Sequence, residues 1–399
     1  MKPSPSNSLT LLKETLAAFV QKGIAADRAL NETFRRHKIK DERVRAELAN
    51  RFYGIVRYWR PLVTALGQDE FESVNDVKLL VETWHKWKRI YKSGSAPSGE
   101  GPVSERLVKY SRIRKMRESY PDWLDALAEQ ELGKERWDAT AQALNREAPV
   151  FLRTNTLITS REQLLNDLKN EQIEAEAVEG SEAAIVLESY ENVFSLPSFR
   201  SGGFEVQDIS SQQVAELLDV RPGMRVADAC AGNGGKTLHL AALMNNRGKI
   251  IAMDVAAWKL EELRARCTRD KADLVETQLV KDAPSEKLNG TFDRVLLDVP
   301  CSGTGVLRRN PDIRWRLHPE DITELHALQQ QILETYSPLV KSGGKMVYAT
   351  CSILPSEGEA QIKTFLEKHP DAWEIEEEHR TDVISGNGDG FYMARLKKK

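Results

Sequence analysis

"MRVADACAGNGGKTLHLAALMNNRGKIIAMD", Met224–Asp254, holds two short apolar runs separated by a glycine loop and a helical stretch. The first run ends in Asp228, the loop carries Gly232, Gly234 and Gly235, and the second run ends in Asp254. Glycines between a strand and a helix permit a tight turn and let the backbone approach a ligand, while the helix start offers unpaired N–H groups. The same rhythm continues downstream. "AWKLEELRARCTR" reads as a helix, "LVETQLVKD" and "DRVLLDVP" as strands, 321–337 as a helix and "GGKMVYATCS" as a strand. Short apolar strands alternating with helices predict a mostly parallel sheet covered on both faces. The fold class expected for residues 205–399 is α/β, with a Rossmann-like core.

Upstream of that core the pattern changes. Within 145–204, "PVFLRTNTL" reads as a strand, "SREQLLNDLKNEQ" as a helix and "EAAIVLES" as a strand, which predicts a small α+β subdomain. Residues 1–90 read as amphipathic helices, with Val44, Leu48, Phe52 and Ile55 recurring at helical spacing. Between them, 91–144 opens with the linker-like "YKSGSAPSGEGPVSE" and continues as a helical segment.

A length of 399 residues predicts more than one domain, and 41% hydrophobic with 29% charged residues is the balance of a globular chain. No apolar run approaches a membrane span and "MKPSPSNSLTLLKETL" lacks a signal-like segment, so a cytoplasmic protein is expected. Cys230, Cys267, Cys301 and Cys351 are scattered, with no CxxC spacing, which excludes a disulfide scaffold and predicts no metal site. The net charge of −3 conceals a basic front half, where Lys86–Arg117 contains ten Lys or Arg against two Glu. Arg35, Arg36, Lys38 and Lys40 form one cluster, and Lys109, Arg112, Arg114, Lys115 and Arg117 another, the charge pattern of a nucleic-acid partner or of a solubilising surface.

Which ligand the glycine loop serves is narrowed by what it lacks. A nucleotide-hydrolase loop needs a glycine five positions before "GKT", where Cys230 stands, and "GNGG" lacks dinucleotide spacing. Asp254 suits a ribose diol, or caps the next helix. Asp282 in "LVKDAP" suits an adenine or ribose edge, and Asp228 can orient the loop. A glycine loop with acids at successive strand ends describes a nucleoside-bearing ligand that needs no phosphate, and S-adenosylmethionine meets that description.

Cys301 in "DVPCSG" and Cys351 in "ATCS" both stand where strands of one sheet run out, on the same rim. Methylation of a pyrimidine at C5 needs two such groups. A thiolate must add at C6 to make C5 nucleophilic, and a second group must help the C5 proton and the thiolate depart. Asp298 suits the N3/N4 edge of cytosine, and Lys236 or a sulfonium favours the thiolate. Spacing leaves open which thiol attacks. In "RRNPDIRWRLHP", Arg308, Arg309, Arg314 and Arg316 surround Trp315, an arrangement suited to phosphates and a stacked base, or else to a solvated surface with Trp315 anchored inward.

"SGGFEVQDISSQQVAELLDVRPGMRVADACAGNGGKT", "LLDVPCSGTGVLRRNPDIRW" and "YATCSILPSEGE" resemble successive motifs of the bacterial Sun/NOP2-type RNA cytosine-C5 methyltransferases. The N-terminal helices resemble the NusB-like domain of the member acting on 16S ribosomal RNA. The resemblance implies Cys351 as nucleophile and Cys301 as its partner in product release, with Asp298 and Lys236 beside them. It implies that Cys230, Ala231, Gly232, Asn233, Gly234, Gly235, Lys236, Asp254, Asp282 and Asp298 hold S-adenosylmethionine. It further implies an RNA-binding role for 145–204 and ribosomal RNA as partner; a monomer is the default expectation. Gly232 and Asn233 replace the alanine and proline usual in the family's loop. Transfer RNA as substrate, a non-catalytic assembly factor and a nucleotide hydrolase are the alternatives.

Overall fold

The computed structural model describes residues 5–68, 76–96, 101–189 and 192–399, so 97–100 of the expected linker lie outside the described residues. The chain divides into two compact units, one running to Arg146 and including Leu307–Pro319, the other comprising Glu147–Val306 and Glu320–Lys399.

In the first unit, helices Pro5–Lys22, Ala26–Arg36, Glu42–Arg57, Trp59–Ala65, Val77–Ser93 and Pro102–Tyr110 turn apolar faces onto Leu12, Leu16, Phe52, Ile55, Leu62, Trp87 and Leu107. Positions three and four apart share one helix face, which is why Leu48, Phe52 and Ile55 are buried together while Val44, nearer the helix start, is half-buried. Asp41 starts that helix by accepting from the backbone N–H groups of Arg43 and Val44.

The segment Leu307–Pro319 corrects an expectation. Arg314 is fully buried, donating to the carbonyls of Glu118 at 2.8 Å and Ser119 at 3.2 Å and to Asn145 Oδ1 at 3.1 Å, with its guanidinium 4.2 Å over the Tyr120 ring. Trp315 packs on the helical core and donates its indole N–H to the Val56 carbonyl at 2.8 Å. Arg308 is buried and its carbonyl accepts from Arg57 at 2.7 Å, while Arg316 pairs with Asp312. A buried guanidinium is tolerated only where acceptors surround it, and here the carbonyls at 118–119 supply them. Arg314 and Trp315 therefore anchor the segment inside the unit and do not face phosphates. Part of the second basic cluster is likewise neutralised locally, since Arg114 pairs with Asp125, Glu129 and Asp138, Lys115 with Asp122, and Arg117 with Glu118. Lys109 and Arg112 remain exposed.

The second unit holds two sheets. β1 (Phe151–Thr154), β2 (Ala175–Ala177), β3 (Ala184–Leu187) and β4 (Phe204–Val206) form an antiparallel sheet in the order β2-β3-β1-β4, backed by helix Arg161–Asn170. β5 (Arg225–Asp228), β6 (Lys249–Asp254), β7 (Val275–Leu279), β8 (Phe292–Asp298), β9 (Val340–Thr350), β10 (Trp373–Arg380) and β11 (Tyr392–Lys398) form the larger sheet, ordered β10-β11-β9-β8-β5-β6-β7. β5 to β9 are parallel, and β11 and β10 extend the β9 edge antiparallel. The chain winds outward from β5 through β6 and β7, then restarts at β8 on β5's other side. A crevice opens beyond the strand ends at such a switch point, and ligands bind there in open α/β sheets. The observed architecture is thus a Rossmann-like core with a helical N-terminal region and a small α+β subdomain.

Candidate active site

Cys301 and Cys351 are delivered to one place by strand register. β8 and β9 run parallel with Asp298 opposite Ala349, so the two chains leave the sheet side by side. The sulfurs are 3.3 Å apart and both thiols are half-buried. The loops are tied as well as aligned, because the Gly305 N–H donates to the Cys351 carbonyl at 2.9 Å. A Cβ on Gly305 would lie 1.8 Å from the Gly390 carbonyl oxygen, so this close approach requires glycine.

The other two cysteines stand apart in chemistry. Burial pushes the Cys230 thiol far up, with Asp228 next in effect, and burial pushes Cys267 up to about 11, which keeps both protonated and unreactive. The Cys301 thiol is also held well above the ordinary value, first by its contact with Cys351 and then by burial.

Lys236, in the first turn of helix Gly235–Leu243, donates to Asp298 Oδ2 at 2.6 Å. Its ammonium is thus committed to the acid at the end of β8, and any effect on the thiols passes through that pair. At the end of β5, Asp228 is buried, accepts from Thr237 through Oδ2, and leaves Oδ1 without a protein partner. Burial raises it to about 7, the neighbouring Asp298 adding to the rise against the Thr237 hydrogen bond.

The glycine loop wraps the end of β6. Asp254 accepts from the Gly232 N–H at 2.9 Å through Oδ2 and from the Ala256 N–H at 2.8 Å through Oδ1, so it clamps the loop and holds the residue before the following helix. A carboxylate has about four acceptor positions; two are taken, and the remaining two fit the hydroxyls of a ribose diol. Val255 and Trp258, 71% and 61% exposed, offer apolar surface beside it. Ala231 donates its N–H to Met253, and Asn233 gives its carbonyl to Arg266 at 2.7 Å. Gly234 has φ +88° and its missing Cβ would lie 2.0 Å from Leu263 Cδ1, so no other residue fits there without displacing that side chain. The residues therefore suit S-adenosylmethionine: an acid-lined crevice, a diol acceptor and an unpartnered Asp228 oxygen. Asp282 is exposed, three residues beyond β7.

Two features escaped the sequence reading. Arg153 on β1, nearly fully buried, donates to the Gly235 carbonyl at 2.6 Å and so braces the glycine loop from the small sheet. Glu357, within the quoted "YATCSILPSEGE" but not singled out there, is fully buried and accepts from Ser302 and Ser352, the residues after the two cysteines.

Comparison with known proteins shows the family. The family described as 16S rRNA methyltransferase RsmB/F matches residues 215–397, and the RsmF/B-like ferredoxin-like domain matches 120–194. Ribosomal RNA small subunit methyltransferase B of Photorhabdus laumondii is 35% identical over 74% of this chain and 70% of its own length. That of Pseudomonas putida is 37% identical over the same shares. Relatives from Synechocystis and Proteus mirabilis are matched over 67% and 63% of their length, so the chain spans about two thirds of them. Among solved structures, PH0851 superposes with a TM-score of 0.80 at 25% identity over 99% of each chain. A methyltransferase homologue from Pyrococcus horikoshii gives 0.62 at 28% over 72% of this chain and 98% of its own. With the paired thiols, the acid-lined crevice and these similarities together, the chain belongs to the RsmB/F family of S-adenosylmethionine-dependent ribosomal RNA cytosine-C5 methyltransferases.

Proposed function

We propose that the protein methylates C5 of a cytosine in 16S ribosomal RNA, with Cys351 as nucleophile, Cys301 as release partner, and Asp298, held by Lys236, facing the base. The observation that carries this is the 3.3 Å approach of two thiols beside the acid that ends β8. The Cys351 thiolate adds to C6 and raises the electron density at C5. Bound S-adenosylmethionine supplies the methyl group at that point. The C5 proton then passes to solvent water, its bonding electrons form the C5–C6 double bond, the C6–sulfur bond breaks with its electrons returning to Cys351, and the Cys301 S–H hydrogen-bonds to the departing thiolate. Asp298 accepts from the exocyclic amine, which orients the ring. Cys230 to Lys236, with Asp254, Asp282 and Asp298, hold the cofactor.

The same proposal includes a NusB-like 1–90, a linker and helical segment at 91–144, an RNA-binding 145–204 and a methyltransferase domain at 205–399. It also includes a monomeric, cytoplasmic protein; among the described residues no helix is long and apolar enough to cross a membrane. The test is transfer of labelled methyl groups to purified 16S ribosomal RNA and to bulk transfer RNA, read by bisulfite sequencing. A new 5-methylcytosine in the ribosomal RNA alone is expected. Modification confined to transfer RNA would replace the substrate, and none in either would remove the activity.

A further inference from the structure

Glu357 grips the two cysteine loops unequally. Glu357 belongs to the Cys351 segment, and its carboxylate reaches across to accept from the Ser302 N–H at 2.8 Å and the Ser302 hydroxyl, while within its own segment it accepts from the Ser352 hydroxyl at 2.6 Å. Gln329 donates to it at 3.0 Å and also to the Pro300 carbonyl at 3.0 Å, fastening the Cys301 loop from the other side. Thr304 completes the bracket, its hydroxyl 3.0 Å from Ser352 Oγ and accepting from the Ile353 N–H at 3.1 Å. All of the carboxylate's partners are donors, the set that a fully buried carboxylate requires.

We propose that Glu357 is the positioning residue that gives the two thiols different roles. By tying Ser302 to Ser352 it holds the sulfurs in contact, and its negative charge, hydrogen-bonded to Ser302 beside Cys301, keeps the proton of the pair on Cys301 and the thiolate on Cys351. When the pair ionises, one proton goes to solvent, the other stays on Cys301, and its S–H donates to the Cys351 sulfur. The elevation of the Cys301 thiol agrees, since after its contact with Cys351 and burial, the Glu357 charge also raises it. The other titratable groups facing this site are Tyr348, whose hydroxyl donates to the Glu357 carbonyl at 2.8 Å, Arg380, which donates to the Ser352 carbonyl at 2.9 Å and pairs with Glu359, and the Lys236–Asp298 pair. This inference rests on the roles proposed above for Cys351 and Cys301.

The test uses the full chain without RNA. Alkylation by iodoacetamide is followed at each cysteine by mass spectrometry across pH, because the midpoint for each thiol is independent of its accessibility. In the unsubstituted protein Cys351 is expected to react with the lower midpoint. In Glu357→Gln the Cys301 midpoint falls, read as about a tenfold gain in its alkylation rate at a fixed pH below the midpoint. Glu357→Asp, which keeps the charge, retains the original order. An unchanged Cys301 midpoint in a folded Glu357→Gln protein overturns the proposal. Should that variant not fold, the unsubstituted protein decides, since a lower midpoint at Cys301 than at Cys351 overturns it equally. Methyl transfer surviving Cys351→Ala with the alkylation order intact would instead sink the nucleophile assignment.

Discussion

Cys301 and Cys351, 50 residues apart in sequence, hold their sulfurs 3.3 Å apart because β8 and β9 are parallel neighbours in register. If Cys351 attacks C6, Cys351→Ala removes the nucleophile. Single-turnover transfer should fall by about 10³-fold or more. Transfer at the original rate in the purified variant would exclude the assignment.

Cys301→Ala leaves the attacking sulfur in place and removes the S–H that assists its departure. Addition and methylation proceed, and a covalent protein–RNA species builds up, visible as a retarded band on a denaturing gel. Normal turnover with no such band counts against the release role.

The Lys236–Asp298 contact at 2.6 Å fixes the acid that faces the base. Lys236→Met leaves Asp298 unanchored, and turnover should fall on the order of 10²-fold, the scale of misplaced catalytic groups. The melting temperature should change little. An unaltered rate would show that Asp298 needs no anchor.

Asp228 makes stability depend on pH. Its folded value of about 7 lies above its ordinary 3.8, so the protonated form is the one folding favours. That contribution is complete below about pH 4 and is lost as pH rises through about 7. Asp228→Asn keeps the shape and an oxygen acceptor for Thr237 but carries no charge. Its urea stability relative to the unsubstituted protein should therefore climb between pH 4 and 7, by roughly 4 kcal/mol at most, and level off above. A pH-independent difference would place the ionisation elsewhere.

Arg314→Ala strips donors from three buried acceptors and leaves a cavity against Tyr120. Denaturant unfolding should show a loss of about 3 kcal/mol. A loss below about 0.5 kcal/mol, the range of surface substitutions, would return Arg314 to the surface role that its sequence neighbourhood suggests.

The core was legible because its signals are local. β5, β6 and β8 are apolar runs ending in Asp228, Asp254 and Asp298, and the glycine loop sits where a strand meets a helix. β10 was not legible, since "WEIEEEHR" reads as a solvated acidic stretch. Its stability comes from across the sheet, where Lys345 and Arg395 pair with Glu376, Arg395 also with Glu377, and Lys397 with Glu374. The arginines of "RRNPDIRWR" misled for the same reason, because composition reveals charge but not the carbonyls at Glu118 and Ser119 that bury it. The thiol pair was inferred from two strand ends, but the buried Glu357 that bridges Ser302 and Ser352 depends on a meeting of loops that spacing cannot show.

The attacking sulfur can be identified directly. Substrate RNA carrying 5-fluorocytosine cannot lose its C5 substituent, so the adduct persists and its peptide can be sequenced by mass spectrometry. The nucleotide should be found on Cys351. Its appearance on Cys301, or normal methylation of unmodified RNA with no adduct on the fluorinated substrate, would contradict the mechanism.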